Sequence, residues 1–163
     1  GPLAALLGLR LAEGGELPSG ATGRTLLVTF GAPRAGDRTL ARRLDSALPS
    51  HYRVVHATDA VPHLPCCRPA PGTSRQECSP EPPPGRRGGL APWHAGREVW
   101  YADAAMVRPP RACDGLPKGE DAECSDAQGF WTIGLEDHLR YFGESPGKMC
   151  KAAGNGGAER SLS

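Results

Sequence analysis

The chain opens with Leu3, Leu6, Leu7, Leu9 and Leu11 interleaved with Ala4, Ala5 and Ala12, and no polar side chain interrupts them before Arg10. This pattern predicts a helix buried on nearly all sides, with Gly14 and Gly15 supplying its stop. Thr25 to Phe30 (TLLVTF) is a continuous apolar run of strand length with a β-branched centre, which predicts an interior strand covered on both faces. Gly31, Pro33 and Gly36 make the turn after it. Asp37 then stands where an N-cap is needed, and Leu40, Ala41, Leu44 and Leu48 form an apolar stripe opposite Arg42, Arg43 and Asp45. Pro49 ends that helix, and His51 to His56 (HYRVVH) reads as a further strand. Strand, helix and strand in this order predict a right-handed crossover and a parallel sheet.

Beyond the second strand the pattern loosens. Residues 57 to 65 (ATDAVPHLP) read as a loop stiffened by Pro62 and Pro65, and the Cys, Pro, Gly and Arg-rich stretch 65–92 reads as a surface insertion. Arg97 to Ala102 (REVWYA) has strand character, as an edge or hairpin strand. Residues 113–127 have loop composition, a short element is expected over 134–142 (GLEDHLRYF), and a Gly, Ala, Lys and Ser-rich tail closes the chain. The organisation is α/β: a mostly parallel sheet with flanking helices and long cysteine-bearing loops. There is no internal repeat.

Composition sharpens this picture in three places. Of 163 residues, 39% are apolar, enough for a modest single-domain core, while 22 Gly and 17 Pro demand long loops. The formal charge is +1 with no long run of one sign, so no nucleic-acid footprint is present. Only Lys118, Lys148 and Lys151 are lysines, and the excess of Arg beside Ala, Gly and Pro reads as genomic base composition. The apolar stretch Leu3 to Ala12 is too short for a transmembrane segment and has the wrong flanks for a signal peptide. With Gly first and no Met, the expectation is that the sequence begins inside a longer protein. The six cysteines, Cys66, Cys67, Cys78, Cys113, Cys124 and Cys150, sit in loops away from the apolar runs. That placement favours disulfides and an oxidising compartment, without choosing their pairing.

In parallel α/β sheets functional groups gather at the carboxyl ends of strands. Asp59 lies three residues past the strand ending at His56, where a carboxylate could orient an imidazole. His138, between acidic Glu136 and Asp137 and apolar Leu139, Tyr141 and Phe142, is the best partner among the five histidines. The order acid then histidine is that of α/β-hydrolases. The plainer alternatives are an Asx turn at Asp59 capping the loop before Val61 and Pro62, and a short helix starting at His138. His56, His63, Cys66, Cys67 and His94 do not make a zinc site: no pair has C-x-x-C spacing, and vicinal cysteines suit a tetrahedral ion poorly. His63 reads as lining the loop surface. Trp93, Trp100, Trp131 and Phe130 could touch lipid, while Trp100 and Tyr101 at strand spacing read as part core and part surface.

The blocks GPLAALLGLRLA, VTFGAPRAGDRTLARRLDS, YRVVHATDAVPHLP, WHAGREVWYA and LEDHLRYFG, in this order, resemble consecutive landmarks of the class 3 (fungal-type) lipases. F-G-x-P-R-x-G-[DN] and D-x-V-P-x-L-P are the more specific of them, and the resemblance spans residues 1–143 with departures mainly in 66–92. It implies a partial α/β-hydrolase fold: 1–143 as the C-terminal part of a lipase domain, with the 65–92 loop insertion, and 144–163 as a flexible tail.

By the same resemblance Asp59 is the acid and His138 the general base of a Ser-Asp-His triad, and His94 matches a family histidine near the substrate pocket. The family's nucleophile motif, G-H-S-L-G-G, would end at Gly1, so the serine would lie a few residues upstream and these residues alone are expected to be inactive. The implied function is hydrolysis of lipid carboxyl esters by acyl transfer, without metal or other cofactor, on a lipid ester substrate or lipid–water interface, in a secreted, extracellular protein. A Cys113–Cys124 bridge resembles a pairing in animal members; one of Cys66 and Cys67 is expected to pair with Cys78, and Cys150 with a cysteine upstream. The competing reading is a non-catalytic lipase-like protein that binds lipid or a partner surface, and an upstream G-x-S-x-G with or without its serine separates the two.

Overall fold

The computed structural model describes residues 1–17, 25–69, 76–77, 91–113, 120–128, 134–145 and 148. Helix α1 (Pro2–Glu13) begins at Gly1 with Pro2 in its first turn, where a missing N–H is not needed. It ends at Gly14, whose N–H donates to the Arg10 carbonyl at 2.7 Å. Strand β1 (Leu26–Phe30) follows. Helix α2 (Arg38–Ala47) is capped as its sequence predicts, the Asp37 carboxylate accepting from the Leu40 N–H at 2.8 Å. Strands β2 (Ser50–His56), β3 (Arg97–Tyr101) and β4 (Arg111–Ala112) complete a four-stranded sheet in that spatial order. The first three strands are parallel, with Val28 opposite Tyr52 and Val54 opposite Val99, and β4 is antiparallel. Two short antiparallel ladders, Gly36–Asp37 with Pro92–Trp93 and Arg68–Pro69 with Gln76–Glu77, tie loops together.

The main core joins both helices to the sheet through Ala5, Leu9, Ala41, Leu44, Leu48, Trp93 and Ala95. Each fully buried leucine there contributes about 1.5–3 kcal/mol by leaving water. A smaller cluster packs Val55 and Trp100 against the Cys113–Cys124 disulfide, so that expected bridge is present. Cys67 is disulfide-bonded to a partner outside the described residues, and Cys66 is a free, exposed thiol. Cys78 and Cys150, Phe130 and Trp131, and most of the expected 65–92 insertion and 144–163 tail lie outside the described residues. Among the described residues no helix is long and apolar enough to cross a membrane.

Three expectations need correction. In α1 only Ala5 and Leu9 are buried, while Leu3 is 81% and Leu7 56% exposed, because the helix packs a single stripe onto α2 and β1. Strand β1 is an edge among the described strands, with Leu26 64% and Phe30 49% exposed. A continuous apolar run reports an affinity for cover on both faces, and the described residues supply it on one. The strand over 97–101, expected at an edge or in a hairpin, is not at an edge: it lies between β2 and β4 with Glu98 and Trp100 buried, and its antiparallel pairing with β4 makes it the first arm of a hairpin.

His51, on β2, packs its ring against Gly96, where a φ of +77° and the closeness of the ring, 2.7 Å from an added Cβ, both require glycine. The ring is buried with neither nitrogen hydrogen-bonded among the described residues. Burial, helped by the charge of Arg53, pushes its pKa down to about 4. The folded chain therefore holds His51 neutral where the unfolded chain protonates it, so its stabilising share is complete above pH 6.5 and is lost as pH falls to about 4. The measurable consequence is acid-sensitive stability: chemical denaturation across that window loses on the order of 3 kcal/mol to this group, and His51→Phe flattens the slope. An unchanged slope in the variant would assign the acid sensitivity elsewhere.

Candidate active site

The parallel sheet delivers the loop after β2 to its carboxyl rim, and the first residue of that loop is held in an unusual backbone state. Ala57 has φ +37°, in the left-handed region that a residue with a Cβ enters at a cost. Two bonds enforce it: the Trp100 indole N–H donates to its carbonyl at 3.0 Å, and its own N–H donates to the Tyr101 carbonyl at 2.6 Å. The Asp59 N–H then closes a turn onto the His56 carbonyl at 2.8 Å, which turns the carboxylate inward to full burial. Each carboxylate oxygen has its own partners. Oδ1 accepts the Val61 N–H at 2.8 Å, the Asx turn that the local sequence suggests. Oδ2 accepts the Tyr141 hydroxyl at 2.8 Å and faces His138 Nδ1 at 3.0 Å.

The histidine reaches this point because residues 134–142 dock on the same loop. The Gly134 N–H donates to the Thr58 carbonyl at 2.9 Å and the Ala60 N–H to the Gly134 carbonyl at 2.9 Å, a parallel bridge across Asp59. Thr58 then donates through its N–H at 2.9 Å and its hydroxyl at 2.7 Å to Asp137 Oδ2. Burial works against the Asp137 carboxylate, but the Thr58 donors and nearby positive charge outweigh it and hold its pKa below the usual range. A single 3₁₀ turn, Asp137–Leu139, sets His138 beside Asp59. The imidazole is 32% exposed, and Nε2 has no hydrogen-bond partner among the described residues. Burial and the Asp59 carboxylate push the Tyr141 phenol far above its ordinary range, so its hydroxyl stays a donor.

Gly31 completes the geometry from β1. Its φ is +53°, and an added Cβ would stand 2.6 Å from both Asp59 Oδ2 and His138 Nδ1. A glycine is required there because the Asp59–His138 bond occupies the space of its missing side chain. Next to it, Ala32 meets the start of α1: a Cβ on Gly1 would lie 2.8 Å from the Ala32 Cβ. The rim bearing Asp59 and His138 thus adjoins the N-terminus of the first helix.

Below the loop lies a buried polar cluster. Arg34 donates from Nε and Nη2 to both Glu120 oxygens, at 2.9 and 2.7 Å, and from Nη1 to the Pro65 carbonyl at 3.0 Å. Glu120 also accepts the His94 N–H at 3.0 Å. His94 is buried, and its Nε2–H donates to the Pro62 carbonyl at 2.8 Å. Burial, with the charges of Arg53 and Arg34, drives the His94 pKa well down and keeps the ring neutral. His63 was expected on the loop surface and is instead buried, its Nδ1 3.0 Å from Asp126, because the 3₁₀ turn Val61–His63 rotates it inward.

The structure therefore brings Asp59 and His138 together and sets His94 beneath their loop. His56, His63, Cys66, Cys67 and His94 form no metal-ligating group among the described residues; the close set Glu98, Cys113 and Cys124 has its sulfurs joined as a disulfide. Sequence reading did not single out Gly31, Thr58 and Tyr141. Gly31 had a usable signal, a glycine directly after an apolar strand, and Tyr141 stands three residues from His138. Thr58 had none.

A parallel sheet whose carboxyl rim carries a buried aspartate bonded to an imidazole, in that chain order, is the architecture of the α/β-hydrolase fold. The family model for class 3 lipases matches residues 1–68. A lipase of Caenorhabditis elegans is 36% identical over 130 residues, covering 72% of this chain and 35% of the relative. The solved structure of Rhizomucor miehei triacylglyceride lipase superimposes with a TM-score of 0.62 at 26% identity, covering 88% of this chain and 44% of the fungal one. A further solved structure, of a triacylglycerol lipase whose catalytic centre is formed by a serine protease triad, gives a TM-score of 0.61 at 26% identity over 88% of this chain and 44% of that one. This chain belongs to the class 3 lipase family of the α/β-hydrolase superfamily. It spans about a third of the length of the nematode relative.

Two substitutions probe the geometry. Gly31→Ala is expected to push Asp59 and His138 apart and to cost about 1–3 kcal/mol in backbone strain, read as loss of the downfield His138 Nδ1 proton in NMR spectra. Tyr141→Phe leaves the pair in place but removes one donor from a buried carboxylate, at about 1.5–3 kcal/mol of unfolding free energy. Full retention of the downfield proton in Gly31→Ala would contradict the close packing described above.

Proposed function

We propose that this chain carries the acid and the base of a serine carboxyl-ester hydrolase acting on lipid esters of the triacylglycerol type. The observation that supports it is the Asp59–His138 bond made through Nδ1, which leaves Nε2 directed away from the carboxylate and free for proton transfer. The nucleophilic serine would come from sequence preceding Gly1, and the contact of Gly1 with Ala32 supports its arrival at this rim.

On this reading the serine hydroxyl attacks the ester carbonyl while His138 Nε2 takes its proton, and the imidazolium returns that proton to the departing alcohol. Water then enters along the same path to release the acid and restore the serine. Asp59 fixes the tautomer, with Nδ1–H donating to it, and stabilises the imidazolium without accepting its proton. None of these steps requires a metal or other cofactor. His94, bonded to the Pro62 carbonyl under the Asp59 loop, would lie beside the substrate pocket, since it lines a small cavity with Gly1 and Ala32. Leu135 and Leu139, exposed on either side of His138, suit an approach to a lipid–water interface. Residues 1–143 would form one lipase unit with the residues before it, and the Cys113–Cys124 bridge fits secretion into an oxidising compartment.

The test is ester hydrolysis by the full-length polypeptide on emulsified triacylglycerol. His138→Ala and Asp59→Asn should each lower kcat by about 10⁴-fold, the latter through the wrong tautomer. Undiminished hydrolysis in His138→Ala removes the assignment. A wild-type protein that binds emulsified lipid without hydrolysing it supports the non-catalytic reading instead.

A further inference from the structure

Arg140, Gly143, Ser145 and Lys148, which follow the His138 turn, enclose a cavity of about 270 Å³ against His56, Ala104 and Ala105. A water molecule takes about 30 Å³ of the liquid, so this space admits a polyatomic ligand. Its lining carries two cations, Arg140 and Lys148, and no carboxylate among the described residues. Both cations have donors to spare. The Arg140 guanidinium makes no hydrogen bond among the described residues, and Asp137, on which its charge acts, already accepts both Thr58 donors. Lys148 Nζ donates to the Gly143 carbonyl at 3.2 Å, which uses one of an ammonium's several protons. The Ser145 hydroxyl accepts the Lys148 N–H at 3.4 Å, so its own proton has no acceptor among the described residues. Nearby acids do not answer these donors. The Asp103 carboxylate accepts the Val107 N–H at 3.0 Å, and Glu144, although it stands between two lining residues, is not part of the wall.

We propose that this cavity binds the phosphate of a phosphate monoester, the Arg140 fork taking two of its oxygens and Lys148 and Ser145 the remainder. Two like charges on one cavity repel each other, and an entering dianion turns that cost into attraction. Three donor side chains also match the oxygens of a tetrahedral phosphate better than the two of a carboxylate. A free monoester and the headgroup of an anionic phospholipid share this chemistry. The surroundings favour the headgroup, because Leu135, Leu139 and Phe142 are exposed along the same stretch of chain, and apolar side chains beside a basic pocket suit an anionic lipid surface. The site requires neither the serine nor ester hydrolysis, so it stands apart from the function proposed above.

The test takes the full-length polypeptide and two probes. Calorimetric titration with glycerol 3-phosphate reads the free monoester, and cosedimentation with phosphatidylcholine vesicles, with and without phosphatidic acid, reads the headgroup. Expected is saturable binding that weakens about tenfold in Arg140→Gln and in Lys148→Gln. Arg42→Gln, which removes an exposed cation from α2, should leave it unchanged. Arg140→Lys keeps the charge without the planar fork and should recover part of the loss. Arg140 and Lys148 are both exposed, so the variants should melt with the wild type, and thermal scans check this. Tighter binding to vesicles containing phosphatidic acid, lost in the same variants and competed by glycerol 3-phosphate, assigns the lipid source. Monoester binding without a vesicle preference assigns the free ester. Saturable binding of neither probe, or a loss in Arg42→Gln equal to that in Arg140→Gln, overturns the proposal. Neither readout involves hydrolysis, so a protein without esterase activity would sink the hydrolase reading and leave this site standing.

Discussion

The site depends on one docking event, the seating of residues 134–142 on the loop that follows β2. Nothing local orients His138: its turn is one 3₁₀ revolution, and its side chain is a third exposed. What fixes the imidazole is the exchange of hydrogen bonds between Thr58, Ala60, Gly134 and Asp137, two of them to an ionised carboxylate. Charge-assisted bonds of this kind are roughly twice as strong as neutral ones. The same contacts close the bridge across Asp59 and so set the distance at which carboxylate and ring meet.

A fully buried carboxylate is costly unless its oxygens are satisfied. Among the described residues Asp59 meets that demand without an arginine or lysine partner. A backbone N–H, a phenol and an imidazole share the charge, and the first two remain donors whatever the imidazole does. The carboxylate therefore stays anchored independently of its third partner. The buried cluster of Arg34, Glu120, His63, Asp126 and His94 plays the complementary part from below, fastening Pro62 and Pro65 so that the loop cannot sink into the sheet.

The sequence made some of this legible. The strand, helix and strand over residues 26–56 follow directly from periodicity and capping, because Asp37 and the stripe at Leu40, Ala41, Leu44 and Leu48 act through near neighbours. Asp59 could be placed because its position past a parallel strand is a topological fact. The degree of burial of α1 and β1 could not, since an apolar run reports its own affinity and not which partner covers it. Gly31, Thr58 and Tyr141 stayed hidden for a related reason: their roles arise from contacts with residues 28, 79 and 82 positions away. His63 shows the same limit, since a polar residue in a loop reads as exposed until its buried partner Asp126 is known.

Asp59 and His138 are 79 residues apart in sequence. Closing a loop of that length costs on the order of 4 kcal/mol of chain entropy from its length dependence alone, and the few bonds at Thr58 and Gly134 must outweigh that before the imidazole arrives. The leucine-rich core has no such debt, as most of its members lie within the first half of the chain. The molecule thus has a weak seam between the segment that holds His138 and the body that holds Asp59. Warming should open that seam while the sheet and helices are still intact, so the Asp59–His138 pairing would be lost at a lower temperature than the fold.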